Sequence, residues 1–260
     1  MMGRLLSWLD DRTGLPSAWS DRLAAPTGLS LGRALLPAIL AVFALTAASG
    51  VALSLHYAPT TTDAWASVWR FEHEIRFGAL IRGAHHASVG ALLVLLGLAI
   101  AHGIITAAYR APRELGWLGL LGLVALLPIF PMTGNLLPWD ESGYWQTQIE
   151  GTIIGNLPVI GGMAQRVLIG GAEVGNATLT RYTALHTVVL PAAFLLLLAL
   201  AWSGRRTKAP AEPQVPATTA YFPRQYLVEL GMASLAVIAV IALGAWLPAP
   251  LDAPADQMRA

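Results

Sequence analysis

Two histidines carry the chemistry that this chain announces first. His85 and His186 each lie a few residues into a separate long apolar stretch. A neutral imidazole placed in lipid needs a partner for its lone pair. The iron of a haem, held from both faces by two such imidazoles, is one partner. Hydrogen bonding between helices is the other, and the pair alone leaves both open. Arg82 precedes His85 by one helical turn, and Arg181 precedes His186 by five residues. Both guanidinium groups are therefore candidates to meet haem propionates at the same depth.

The remaining histidines have weaker claims. His56 ends an apolar stretch, and His73 sits among Glu72, Glu74 and Arg76, so both read as interfacial. His86 points about 100° away from its neighbour on a helix. His102 has only Ala201 and Trp202 at matched depth, neither of which can ligate iron. A snorkelling or hydrogen-bonded role suits His102 better.

The elements that must position the pair follow from composition. Of 260 residues, 55% are apolar and only 12% charged, half the charge density of about 25% found in soluble domains. Five stretches, over 34–56, 80–106, 115–137, 182–203 and 228–248, reach the length of about 20 residues needed to cross hydrocarbon. The fold class is therefore all-α, a polytopic membrane helical bundle with a four-helix core and a fifth transmembrane helix. Residues 1–33 form an amphipathic amino-terminal interfacial segment, too polar for a cleaved signal peptide. Residues 34–203 form the four-helix domain, 204–227 a Pro- and charge-rich linker, and 228–260 the fifth helix with an outer-side tail.

A net charge of +1 offers no basic face for nucleic acid. The absence of cysteine excludes disulfides, thiolate-held iron–sulfur clusters and covalent c-type haem on this chain. Ten of the sixteen Lys and Arg residues fall in the amino terminus, the second-to-third loop and the linker: Arg4, Arg12, Arg22, Arg33, Arg110, Arg113, Arg205, Arg206, Lys208 and Arg224. That bias puts the amino terminus inside and the carboxyl terminus outside.

Several motifs stand in order: YAPTTTDAWASV at 57–68, IRGAHHAS at 81–88, PREL at 112–115, LLPWDESGYW at 136–145, LPVIGG at 157–162 and VGNATLTRYTALHTVVLP at 174–191. Together they resemble the amino-terminal half of cytochrome b from quinol-oxidising Rieske–cytochrome b complexes, nearest to the split, chloroplast-type form, over residues 30–203. The stretch from Tyr221 to Asp256 resembles more weakly the first helix of the carboxyl-terminal half. The chain stops before any Pro-Glu-Trp-Tyr motif, so the second half is expected as another chain.

The resemblance implies that His85 and His186 ligate an outer haem b. It implies that Arg82 is the family arginine before the first ligand, and that Gly50 and Gly134 let a porphyrin lie close to the backbone. The family's inner ligands fall fourteen residues after His85 and fifteen after His186, at Ala99 and Ala201. Its inner glycines align with Leu36 and Leu120. Four replacements in one direction predict a closed inner site and a single haem. Pro128 and Pro131 are expected to kink the third helix.

By resemblance, the chain is an electron-transfer subunit of a quinol-oxidising bc-type respiratory complex in a bacterial-type inner membrane, and not a complete catalyst alone. The expected partners are a second cytochrome b half, a Rieske or multi-haem c protein, and quinol or quinone at a shared site. A homodimer is also implied. The alternative is a non-bifurcating anchor relaying electrons between the quinone pool and a periplasmic multi-haem or iron–sulfur partner.

Overall fold

The computed structural model describes residue 8, residues 31–171, 173–204 and 223–256. Most of the amino-terminal interfacial segment and most of the linker lie outside the described residues. Among the described residues, ten α-helices are defined: α1 (Leu31–Ser54), α2 (Ala64–Glu74), α3 (Gly78–Ile105), α4 (Glu114–Leu126), α5 (Ile129–Gly134), α6 (Glu141–Gly155), α7 (Gly161–Ile169), α8 (Asn176–Ala184), α9 (Leu190–Ser203) and α10 (Arg224–Trp246). Five spans are long and apolar enough to cross a membrane: α1, α3, α4 with α5, α8 through α9, and α10. Only a helix or a closed barrel satisfies every backbone group in lipid, and these runs of Leu, Ala, Val and Gly fold accordingly. This is a multi-pass membrane bundle, as its composition predicts.

Two of the spans are interrupted. Pro128 and Pro131 divide the third, so that α4 ends at Leu126 and α5 resumes at Ile129. Between α8 and α9 lies a π-helical turn, Leu185–Val189, in which the Leu190 amide donates to the Leu185 carbonyl. Pro191 explains it: without an N–H, it cannot donate to the carbonyl of Thr187, and the ladder widens by one residue. The fourth span also starts earlier than its apolarity suggests, at Asn176, because a polar turn extends the helix beyond hydrocarbon.

The described chain divides into two compact units. The first takes Met1–Leu45, Gly90–Leu127 and Ala193–Val240. Its core holds Ile39, Val42, Leu92, Leu96, Leu123 and Leu198, all buried. Phe43 and Phe194 stack there with ring centroids 4.2 Å apart and planes at 6°. Helices α4 and α9 touch through glycine: a Cβ at Gly119 would lie 2.5 Å from the Ala201 amide nitrogen.

The second unit takes Thr46–Val89, Pro128–Ala192 and Ile241–Ala260. Tyr182, Leu136, Leu179 and Val174 form its core with Trp139 and Tyr144. Helix α6 starts on Asp140, whose carboxylate accepts from the Gly143 amide at 2.9 Å. Helix α7 closes on Gly170, left-handed at φ 83°. Helices α3 and α10 meet backbone to backbone where Gly83 faces Gly244. The segment after α10 is pinned down: Trp65 Nε1 donates to the Asp252 carbonyl at 2.7 Å, the Glu141 amide to Ala253 at 2.9 Å, and the Ala255 amide to Trp139 at 3.0 Å.

Candidate haem-binding site

Both histidines belong to the second unit, and the structure brings them together. Their ring centroids stand 6.1 Å apart with planes at 59°. Each uses Nδ1 for a hydrogen bond. His85 Nδ1 lies 3.0 Å from the Thr46 carbonyl and 3.1 Å from Ser49 Oγ. His186 Nδ1 lies 3.1 Å from Thr133 Oγ1, and the Phe130 ring meets His186 edge-on at 5.8 Å. The carbonyl of Thr46 can only accept, which assigns the proton of His85 to Nδ1 and leaves Nε2 a bare lone pair. A hydrogen bond from the other ring nitrogen to a carbonyl is what orients an imidazole for a metal.

The donor set fits a haem. Two neutral imidazoles brought this close are the donor type that would hold a haem iron, with His85 and His186 as the residues that would do so. The glycines tighten the cradle differently from the expectation. A Cβ at Gly50 would lie 3.0 Å from His85 Cε1, and one at Gly134 would lie 2.7 Å from His186 Cε1. These glycines admit the imidazole rings themselves against α1 and α5. His186 also stands in the π-turn, a distortion frequent at functional sites.

The two arginines have other partners here. Arg82 is buried, and its guanidinium donates to Glu72 Oε2 at 2.7 Å, to the Ala249 carbonyl at 2.9 Å and to the Pro250 carbonyl. Arg181 donates to the Arg166 carbonyl at 3.1 Å and to that of Val167, holding the end of α7. In this arrangement Arg82 ties the segment after α10 to α2 and α3.

Of the other histidines, His56 bonds the Ala52 carbonyl and packs beside Phe71. His73 bonds the Trp69 carbonyl and stacks on its ring. His102, in the first unit, lies flat against Gly32 of α1. Ala99 and Ala201 are buried at 6% and 5% exposure, with Leu120 at 8%. Leu36 is half-buried. Among the described residues, no cluster of three or more His, Cys, Asp or Glu side chains offers a further metal site.

Sequence reasoning did not find the Nδ1 partners Thr46, Ser49 and Thr133, nor the polar residues around α6. Outside the membrane-spanning helices, hydrogen bonds from Thr62 and Thr60 hold the Asp63 carboxyl below its ordinary range. Burial pushes the Tyr57 hydroxyl up, and that hydroxyl donates to the Leu137 carbonyl at 2.7 Å.

A polytopic bundle that brings two imidazoles together within its helices has the donor type that membrane-embedded haem proteins use. The family description Cytochrome b/b6/petB matches residues 22–203. Cytochrome b6 of Mastigocladus laminosus is 34% identical over 201 residues, covering 75% of this chain and 94% of that one. Cytochrome b6 of Synechocystis is 35% identical over 200 residues, covering 76% and 90%. The chain belongs to the cytochrome b/b6 family. A solved chain of a hyperthermophilic respiratory Complex III superposes with a TM-score of 0.79 at 23% identity, covering 98% of this chain and 72% of that one, which is a likeness of fold. Membership makes this a haem-containing electron-transfer subunit of a membrane redox complex.

Proposed function

We propose that this chain carries a single haem b, held between Nε2 of His85 and Nε2 of His186, as the electron-transfer subunit of a quinol-oxidising complex. One observation carries the assignment: two imidazole rings with centroids 6.1 Å apart, with both Nδ1 atoms engaged elsewhere. The bound haem supplies one-electron Fe(III)/Fe(II) chemistry. The chain's residues do the rest. Thr46, Ser49 and Thr133 hold the ligand tautomers, Gly50 and Gly134 let the rings seat, and the π-turn aims His186. With both histidines holding it, the haem would serve electron transfer and not substrate binding.

The second haem is absent on this reading, because Ala99 and Ala201 have no donor atoms and are buried in packed surroundings. The charge bias places the amino terminus inside and the histidine pair toward the outer face. Quinol would be oxidised at that face near α6 and α7, with a second cytochrome b half and a Rieske or multi-haem c protein as partners. The buried alanines also favour the second reading, a relay anchor that passes electrons between the quinone pool and a periplasmic multi-haem or iron–sulfur partner without bifurcation.

The deciding experiment is the ratio of b haem to chain in the purified complex, by pyridine haemochrome against quantitative protein analysis. One haem per chain is expected. Two would overturn the single-haem assignment, and none would overturn the site.

A further inference from the structure

A hydrogen-bonded series of polar side chains starts two residues after the Thr133 that touches His186 and ends at an unusual carboxyl group. Thr133, bonded to His186 Nδ1, and Gly134, seated against its ring, are followed at the end of α5 by Asn135. Asn135 Nδ2 donates to Gln146 Oε1 at 3.1 Å, and Gln146 Nε2 donates to Glu150 Oε1 at 2.8 Å. Gln146 and Glu150 are one turn apart on α6. The other oxygen, Glu150 Oε2, is shielded from water and has no hydrogen-bond partner. A buried carboxylate oxygen without a donor is costly as an anion, and a proton removes that cost. Burial accordingly pushes the Glu150 carboxyl above its ordinary range, while the bond from Gln146 acts the other way.

The surroundings supply negative charge and a path to water. Glu150 lines an open groove of about 500 Å³ with Glu141 and Trp145 of its own helix and Asp252 of the segment after α10. Tyr182 of α8 lies within electrostatic reach of Glu150. On α7, packed alongside, Arg166 is exposed, and Arg181 of α8 is committed to the α7 carbonyls. Among the described residues, no cation forms an ion pair with Glu150.

We propose that Glu150 is a redox-linked proton site, which binds one proton when the haem held by His85 and His186 gains one electron and releases it on oxidation. The proposal rests on the bis-histidine reading. In the balanced exchange, one electron reduces Fe(III) to Fe(II), and one proton from water in the groove forms an O–H bond on Glu150. Oxidation reverses both. The link is electrostatic: the iron loses one positive charge on reduction, which makes a nearby carboxylate harder to keep charged. The Asn135–Gln146 relay fixes Glu150 relative to the turn that contacts the ligand.

The test is a spectroscopic redox titration of the b haem in the purified complex between about pH 5 and pH 9, in wild type and Glu150→Gln. At fixed potential, the wild-type ratio of reduced to oxidised haem is expected to fall with rising pH, by up to about tenfold per pH unit, the limit for one proton per electron. In Glu150→Gln the ratio should stay constant, with the low-spin spectrum retained as the check on folding. Gln146→Leu removes the bond that favours the carboxylate, so its pH-dependent window should move to higher pH. An unchanged slope in Glu150→Gln, a flat wild-type profile, or an unmoved window in Gln146→Leu would each overturn the proposal. Absence of any low-spin b haem in wild type would instead overturn the bis-histidine site, so the two failures are distinguishable.

Discussion

The two units of this chain are built from the same long helices and differ in what those helices present to the interior. Helix α3 brings His85 to one unit and Ala99 to the other. The span from α8 to α9 brings His186 to one and Ala201 to the other. In the histidine unit, glycines 50 and 134 make way for imidazole rings. In the alanine unit, Leu120 is buried, Phe43 stacks on Phe194, and α4 lies against α9 through Gly119. The difference teaches that the same helices can meet two different demands along their length. A buried imidazole needs a partner and an oriented tautomer, whereas a buried methyl needs only contact. The alanine unit is held by packing, and the histidine unit has a polar requirement together with the groups that meet it.

Three perturbations would break or sharpen that contrast. The largest effect is expected in the histidine unit: His85→Ala or His186→Ala should abolish the low-spin b spectrum, measured as the reduced-minus-oxidised difference in purified membranes. A normal spectrum in either variant would remove the basis of the comparison. Next comes Phe43→Ala in the alanine unit. Truncating a buried stacked aromatic should cost about 3–5 kcal/mol of stability. Thermal unfolding should show that loss, while protein that stays folded keeps its haem spectrum. The smallest spectral change is expected from restoring ligands alone. The double variant Ala99→His and Ala201→His should gain no second haem, because Leu120 and its neighbours still fill the space. A second b haem in that variant would mean that ligands, not packing, had been the only thing missing.

Much of this architecture was legible in the sequence, for identifiable reasons. Lipid demands long uninterrupted apolar helices, so the five spans show directly in composition. The histidine pair stood out because an imidazole among leucines and alanines has few uses. The break in the third span followed from Pro128 and Pro131. Other features depend on tertiary neighbours, which spacing does not encode. Depth alone marks Arg82 and Arg181 as candidates for propionates, while their bonds to backbone carbonyls from distant parts of the chain are not encoded in spacing. The contacts of Gly50 with the His85 ring and of Gly134 with the His186 ring are likewise set by tertiary neighbours. Nothing in the sequence around Glu150 marks it, since a carboxylate outside the apolar spans ordinarily faces water. Only the burial of one oxygen makes it unusual.

The π-turn at Leu185–Val189 settles a point of arithmetic between the two histidine-bearing spans. Ala99 follows His85 by fourteen residues, but Ala201 follows His186 by fifteen. In regular helices the second interval would overshoot the first by about 100° of rotation. The turn absorbs one residue, since the Leu190 amide reaches back five positions instead of four. Fifteen residues therefore advance the helix face by nearly as much as fourteen do on α3. Pro191 thus acts as a phase corrector, keeping one side of the span aligned along its length by an irregularity of a single residue.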